Sequence, residues 1–275
     1  MATYPFQRIL LATEHTEFDA GAERIAFAMA QRCGIPLRVV VPIVSNPEYE
    51  AEMPDLALRD DREAARKIEA LRRDAQAAGV QLEILVRHGP DPWREIVDEA
   101  ESSKTDLIVI RRRGKPGFLS NMLVGEMVSK VIRDVSCCVL TVPRAAEFWT
   151  HGVLAAVGAT PAAQDVSTLA ANVAAVCDLP LTIVSVAQDK ADLPRIESLN
   201  TLNVSLAHAI CDKTRGIVAV GQTVEQTVAA CRETGADLMV VGRQRYHLIP
   251  FARGGDSLMH KLAGAMVLPT LVVPS

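Results

Sequence analysis

Between Ile110 and Met127 the chain gathers three arginines, a lysine and three glycines in one stretch, RRRGKPGFLSNMLVGEM. An apolar run of strand length, Asp106 to Ile110, leads into it, and an amphipathic segment leaves it at Gly125. If the loop lies between a strand and the N-terminus of a helix, the free amides of that helix point into it, which suits a phosphate group. Gly114 and Gly117 would allow close backbone approach, Gly125 stands where the helix begins, and Lys115 or Arg111, Arg112 and Arg113 would neutralise phosphate charge. Turns need glycine for purely steric reasons, and a basic cluster is often a solvated loop, so a bland reading stands beside the phosphate one.

Other chemistry is sparse. His208 and Cys211 fall three apart on a predicted helix, with no further ligand to complete a metal site. Glu126 and His15 can be imagined as acid and base in one crevice, but no nucleophile accompanies them and the GxSxG elbow is absent. A dedicated enzyme is not expected. The cysteines at 33, 137, 138, 177, 211 and 231 form no CxxC pair and read as small buried thiols, with Cys137 and Cys138 on opposite faces of a strand.

The elements that position these residues come twice. The strand, loop, helix, strand pattern of Asp106 to Pro143 returns from Asp237 to Pro274, 131 residues later. Before it, Phe6–Thr13, Leu37–Val44 and Val80–Val86 read as strands, and Cys137–Val142 closes the first copy. Helices are expected from Asp19, as a cap, to Cys33, from Asp60 to Ala78 with a Glu63–Lys67 pair, and over Asp91–Ser102 with Pro92 in its first turn. Alternation of this kind specifies a parallel sheet with right-handed crossovers. The second copy opens at Val153–Val157, 144 residues after Ile9–Thr13, so it is 13 residues shorter, and the loss falls in its second crossover, near Pro194 to Asp212. The fold class is therefore α/β, two tandem five-stranded doubly wound domains over 1–143 and 152–275, joined by a linker at 144–151.

A net charge of −4 gives no overall pull toward nucleic acid. No apolar run reaches the roughly 18–20 residues of a membrane span, and the N-terminus lacks a signal-peptide pattern, so a cytoplasmic protein is expected. Residues 1–143 carry 19 Lys/Arg and 22 Asp/Glu against 9 and 10 in 152–275. So charge-poor a half is expected to bury surface against a partner.

With these residues in view, the sequence resembles a tandem universal stress protein over nearly its whole length. The resemblance implies an adenine nucleotide alpha hydrolase-like fold with strand order 3-2-1-4-5. It also implies an ATP motif of glycine, two residues, glycine, nine residues, then glycine followed by serine or threonine, with an acid after the first strand holding the adenosine. Gly114 and Gly125 match the second and third glycines, Ala12-Thr13-Glu14 matches the acid's position, Val41 lies on the strand expected to line the adenine pocket, and Met127 follows in the first helical turn. The site so implied, for ATP with Mg²⁺ in the first domain only, comprises Thr13, Glu14, Val41, Arg111, Arg113, Gly114, Gly125, Glu126 and Met127.

The departures are specific. Arg111 replaces the first glycine, ten residues separate Gly114 from Gly125, and Glu126 replaces the hydroxyl residue. In the second copy Gly242 keeps the first glycine, but Arg245 replaces the second, Asp256 stands at the third before Ser257, and Gly158 takes the acid's place. A carboxylate at the start of a helix would occupy the amides a phosphate uses, and two unit charges about 4 Å apart repel by roughly 4 kcal/mol at an effective dielectric of 20. The resemblance thus points to a stress-response or signalling protein that acts by binding and dimerisation. Slow ATP hydrolysis in the first domain, or carriage of a small apolar ligand by the second, are the alternatives. The resemblance implies self-association of the uncharged final strands, Val139–Val142 and Leu271–Val273, within one chain, and the charge-poor second half is expected to make the further contact of a homo-oligomer.

Overall fold

The computed structural model describes residues 4–45, 54–112, 125–243 and 268–274. They form two compact units, one of residues 6–112 and 125–148, the other of residues 149–243 and 268–274 together with 4 and 5.

The first unit runs β1 (Ile9–Ala12), α1 (Ala20–Cys33), β2 (Leu37–Val44), α2 (Pro54–Ala77), β3 (Leu82–Gly89), α3 (Pro92–Ser102), β4 (Leu107–Arg111), α4 (Glu126–Asp134) and β5 (Cys138–Val142). Its strands are all parallel and lie in the order 3-2-1-4-5. The central strands β1 and β4 are apolar on both faces because helices cover both, and Leu10, Leu11, Ile108 and Val109 have no solvent exposure. Helix α1 packs tightly beside the end of β5: a Cβ on Gly21 would lie 2.1 Å from the Pro143 carbonyl oxygen, so only glycine fits there. Gly34 then ends the helix in the left-handed region, at φ 64°.

The segment expected to be a plain linker has neither helix nor strand, yet residues 144–148 are laid along α1. The Arg24 guanidinium donates to the Ala146 carbonyl and pairs with Glu147 at 3.1 Å, Arg144 pairs with Glu17 at 2.8 Å, and Arg32 lies 4.0 Å over the Phe148 ring. On the other flank, the buried Glu99 carboxylate is shared by Arg87 at 2.6 Å and Arg38 at 3.3 Å, tying α3 across β2 and β3. The expected Glu63–Lys67 pair forms at 2.9 Å.

The second unit repeats the plan with β6 (Val153–Ala156), α5 (Ala163–Val176), β7 (Leu181–Ala187), α6 (Leu193–His208), β8 (Thr214–Val220), α7 (Thr223–Thr234), β9 (Leu238–Gly242) and β10 (Thr270–Val273). Its parallel strands take the same order, β8-β7-β6-β9-β10. Of the six cysteines Cys211 and Cys231 are buried and the other four are half-buried, a departure from the expectation for all six. His208 and Cys211 do not make a joint site, because His208 is exposed while the Cys211 thiol turns inward to the Leu179 carbonyl at 3.6 Å. Among the described residues no helix is long and apolar enough to cross a membrane.

One carboxylate serves each unit in the same way. Asp106, just before β4, accepts from the amides of Gln7 at 2.8 Å and Arg8 at 3.0 Å, fixing the chain as it enters β1. Asp237, just before β9, accepts from the amides of Thr150 at 2.7 Å, His151 at 3.0 Å and Gly152 at 3.1 Å as the chain enters β6. Partial burial works against the Asp237 charge, but the three amides and the His151 ring outweigh it and hold the carboxyl below its usual pKa. A depressed carboxylate contributes stability above its unfolded pKa, about 3.9, and loses it as pH falls through the folded value. Asp237→Asn should therefore cost about 1–3 kcal/mol at pH 7. Denaturant unfolding should show the gap to the wild type closing below about pH 4, the unfolded-state range.

Candidate functional site

Of the residues singled out from the sequence, Thr13, Glu14, Val41, Arg111, Gly125, Glu126 and Met127 lie within the described structure, whereas Arg113 and Gly114 fall outside the described residues. So do Lys115 and Gly117, and, from the second copy, Arg245, Asp256 and Ser257.

The site is built where β1 and β4 end side by side, Ala12 in register with Ile110. Thr13 extends β1 by one amide, donating to the Val40 carbonyl at 3.1 Å, and its buried hydroxyl donates to the Glu23 carboxylate at 2.6 Å. The same hydroxyl oxygen accepts from the His15 amide at 2.8 Å, which turns the chain sharply enough that His15 adopts a positive φ of 48°. The His15 ring nitrogen Nδ1 returns to Glu23 at 3.1 Å. Thr13, His15 and Glu23 thus form a closed polar cluster under the first turn of α1.

Beside it lies a second cluster, centred on Arg111. Its Nη1 donates to Asp19 Oδ2 at 2.9 Å and to Thr16 Oγ1 at 3.2 Å, and its Nη2 donates to Glu14 at 3.0 Å. Asp19 is 1% exposed, and the same Oδ2 also accepts the Thr16 amide at 2.9 Å and the Thr16 hydroxyl at 2.6 Å. Asp19 stands at the N-cap position of α1, as its sequence context predicts, but its carboxylate makes no bond to the helix amides. The correction has a physical cause: a buried carboxylate gains more from a guanidinium plus two further donors than from one neutral helix amide. Sequence reasoning missed Asp19, Thr16 and Glu23 as members of the site.

The helix end differs from the expected self-capped form. Gly125 caps α4 with φ −60° and ψ 150°, donating its amide to the Arg112 carbonyl at 3.2 Å. Glu126 does not fold back onto the free amides. Its side chain is 84% exposed and reaches along the helix to Lys130 at 2.9 Å, the i,i+4 geometry that a nearby ammonium makes favourable. His15 and Glu126 are consequently engaged with different partners, Glu23 and Lys130, and make no acid–base pair. Met127 is half-buried, and Val41 is buried in β2 opposite Val86 of β3.

Two glycines of the motif stand in contrasting settings. A Cβ at Gly125 would meet only the Arg112 carbonyl, at 3.8 Å, an ordinary contact. At Gly242 it would press on Val166 at 3.3 Å and Ala162 at 3.5 Å, so the packing of α5 on β9 accounts for that glycine. Gly158, where the acid would stand, accepts the Thr160 amide at 2.8 Å through its carbonyl.

The model of the universal stress protein family matches residues 5–143, the half that contains both clusters. The chain belongs to the universal stress protein family. A universal stress protein of Thermus aquaticus is 33% identical over 139 residues, covering 50% of this chain and 98% of its own length. One from Methanocaldococcus jannaschii is 28% identical over 146 residues, 50% of this chain and 83% of that protein. Among solved structures, a universal stress protein from Archaeoglobus fulgidus is similar over 100% of this chain and 98% of its own, with a TM-score of 0.68 at 21% identity, which speaks to the fold.

Burial pushes the Glu23 carboxyl above its ordinary pKa, with the Thr13 hydroxyl and His15 opposing the rise and Asp19 adding to it. A carboxyl with a raised folded pKa contributes stability that is fully present below its unfolded value, about 4.3, and lost as pH rises through the folded value. The stability of the wild type relative to Glu23→Gln should then fall between pH 4 and pH 8. Urea unfolding of both proteins at the two pH values measures it, and a gap independent of pH would mean that the carboxyl is not raised.

Proposed function

We propose that the protein is a stress-response binding protein that works by association rather than turnover, its first nucleotide crevice closed by its own side chains. The observation that carries this reading is the Arg111–Glu14 pair at 3.0 Å. By resemblance, Glu14 is the acid that would hold the ribose, and Arg111 replaces the glycine that would let the phosphates approach. The two are engaged with each other, and Arg111 is further anchored by the buried Asp19. A nucleotide would have to displace a charge pair and leave Asp19 without its guanidinium; breaking such a buried pair costs on the order of 3–5 kcal/mol. The second repeat lacks the acid altogether. Pairing of the uncharged closing strands β5 and β10 belongs to the same reading, as do a cytoplasmic setting and the division into two repeats at 1–143 and 152–275.

A second reading, ATP with Mg²⁺ held in the first repeat only, is favoured by Gly125, whose glycine neither backbone angle nor packing demands. Titration calorimetry with MgATP separates the two. Arg111→Gly, checked for folding by its thermal transition, is expected to bind ATP at least about tenfold more tightly than the wild type, about 1.4 kcal/mol. Tight binding by the wild type that disappears in Arg111→Gly would overturn the closed-crevice reading and make Arg111 a phosphate ligand.

A further inference from the structure

We propose that β8 is a dimerisation edge, at which two copies of this chain pair their β8 strands antiparallel about a twofold axis. The proposal rests on the reading that the protein acts by association, and it names the surface.

Among the described residues β8 pairs with β7 on one side and with no strand on the other. The ladder fixes which backbone groups are left over. The Leu181 amide donates to the Lys213 carbonyl at 3.1 Å and the Gly221 amide donates to the Ala187 carbonyl at 2.9 Å, so odd-numbered residues turn toward β7. The amides and carbonyls of Thr214, Gly216, Val218 and Val220 therefore point outward, a template for another strand.

The equivalent edge of the first unit is protected. β3 carries Glu83 and Arg87, both locked in the Arg38–Glu99 network, and His88 after them. Charged side chains on an edge strand are a standard defence against pairing. β8 has one charge, Arg215, an exposed residue whose Nε donates to Thr182 Oγ1 of β7, at 3.2 Å, on the paired side of the strand. The rest of the strand is Thr, Gly, Ile, Val, Ala, Val, with Val220 40% exposed. The helix over it, α6, carries charge only in its first turns, at Arg195 and Glu197. From Ser198 to Cys211 there is no Asp, Glu, Lys or Arg, and Leu202, Leu206 and Ile210 are exposed.

A second copy is the occupant that this charge pattern suits. A chain of net charge −4 has a net repulsion for its own copy, and an edge nearly free of charge is where two can meet. Antiparallel pairing centred on Ile217 matches the outward-facing Gly216 with Val218, and Thr214 with Val220. It also sets the two Arg215 side chains roughly 13 Å apart along the strands, beyond a Debye length of about 8–10 Å.

Sedimentation of the full chain over a range of concentrations tests this. The wild type should show a concentration-dependent dimer. Val218→Pro removes one outward amide and none that serves β7, and Val220→Lys places a charge at the edge; each should weaken the dimer at least about tenfold. Val86→Lys, on the protected β3 edge, should leave it intact. A wild type that is monomeric throughout, or a dimer unmoved by both β8 variants while their circular dichroism is native, overturns the proposal. Neither result bears on Arg111 and ATP.

Discussion

Asp19 is the constraint around which the carboxyl edge of the first sheet is arranged. A carboxylate at 1% exposure cannot keep its charge without strong partners, and its one guanidinium comes from Arg111 at the end of β4. That requirement fixes the arginine's side chain over the crevice, and the second nitrogen of the same guanidinium then meets Glu14. The group that resemblance assigns to a ribose is thus drawn into neutralising an arginine that is itself held by a deeper charge. The Thr13–Glu23–His15 cluster stands next to it, and Glu23, with burial already raising its carboxyl, feels Asp19 as a further negative charge. A nucleotide arriving here would meet a network already satisfied.

Comparison of the two repeats shows which parts of this arrangement the fold requires. Features that maintain the backbone are repeated at an offset of 131: Asp106 and Asp237 hold the entries to the first strands, and Arg112 and Arg243 each donate an amide, at 2.8 Å, to the carbonyl of Val142 and of Val273. The polar clusters are not repeated. At the offset of 144 that relates β1 to β6, Thr13, Glu14, Asp19 and Glu23 become Val157, Gly158, Ala163 and Ser167, while at the offset of 131 Arg111 becomes Gly242. The arginine and its carboxylates are present together or absent together. That is what a charge network demands, since removing one member strands the others.

Much of the fold was legible because parallel strands buried on both faces are continuous apolar runs. β2 occupies Leu37–Val44 as its β-branched run predicts, and β5 and β6 differ from their expected spans by one residue at one end. Helix α2 begins at Pro54, six residues before the start at Asp60 that the sequence implies. The site was legible only as positions. Glu14 and Arg111 were each recognisable by place, but the bond between them spans 97 residues, and nothing local announces it. Asp19 departs from its local pattern for a related reason: an aspartate before a helix is ordinarily a cap, and only the arginine 92 residues away redirects it. The Glu126 pairing with Lys130 is legible in the sequence as an i,i+4 spacing, which here prevails over the pull of the helix dipole on the carboxylate.

Helix α6 shows the same competition between local pattern and tertiary demand. Its inward face carries Asn200 and Asn203 between Ile196 and Ala207, while Leu202 and Leu206 face outward, a departure from an ordinary amphipathic helix. The inward asparagines are accounted for by their bonds. Asn200 Nδ2 donates to the Ile183 carbonyl at 3.1 Å, to Ser185 Oγ at 3.1 Å and, more weakly, to the Ile217 carbonyl at 3.4 Å, and so bridges β7 and β8 from above. Asn203 accepts the Ser167 hydroxyl at 2.9 Å, linking α6 to α5. Gly216 makes the first of these possible, for a Cβ there would fall 2.2 Å from Asn200 Oδ1. A buried amide with its donors satisfied specifies one register where an apolar contact would tolerate slippage. β8 is therefore held in place by its own unit, through β7 and Asn200, and needs nothing on its outer side to remain a strand.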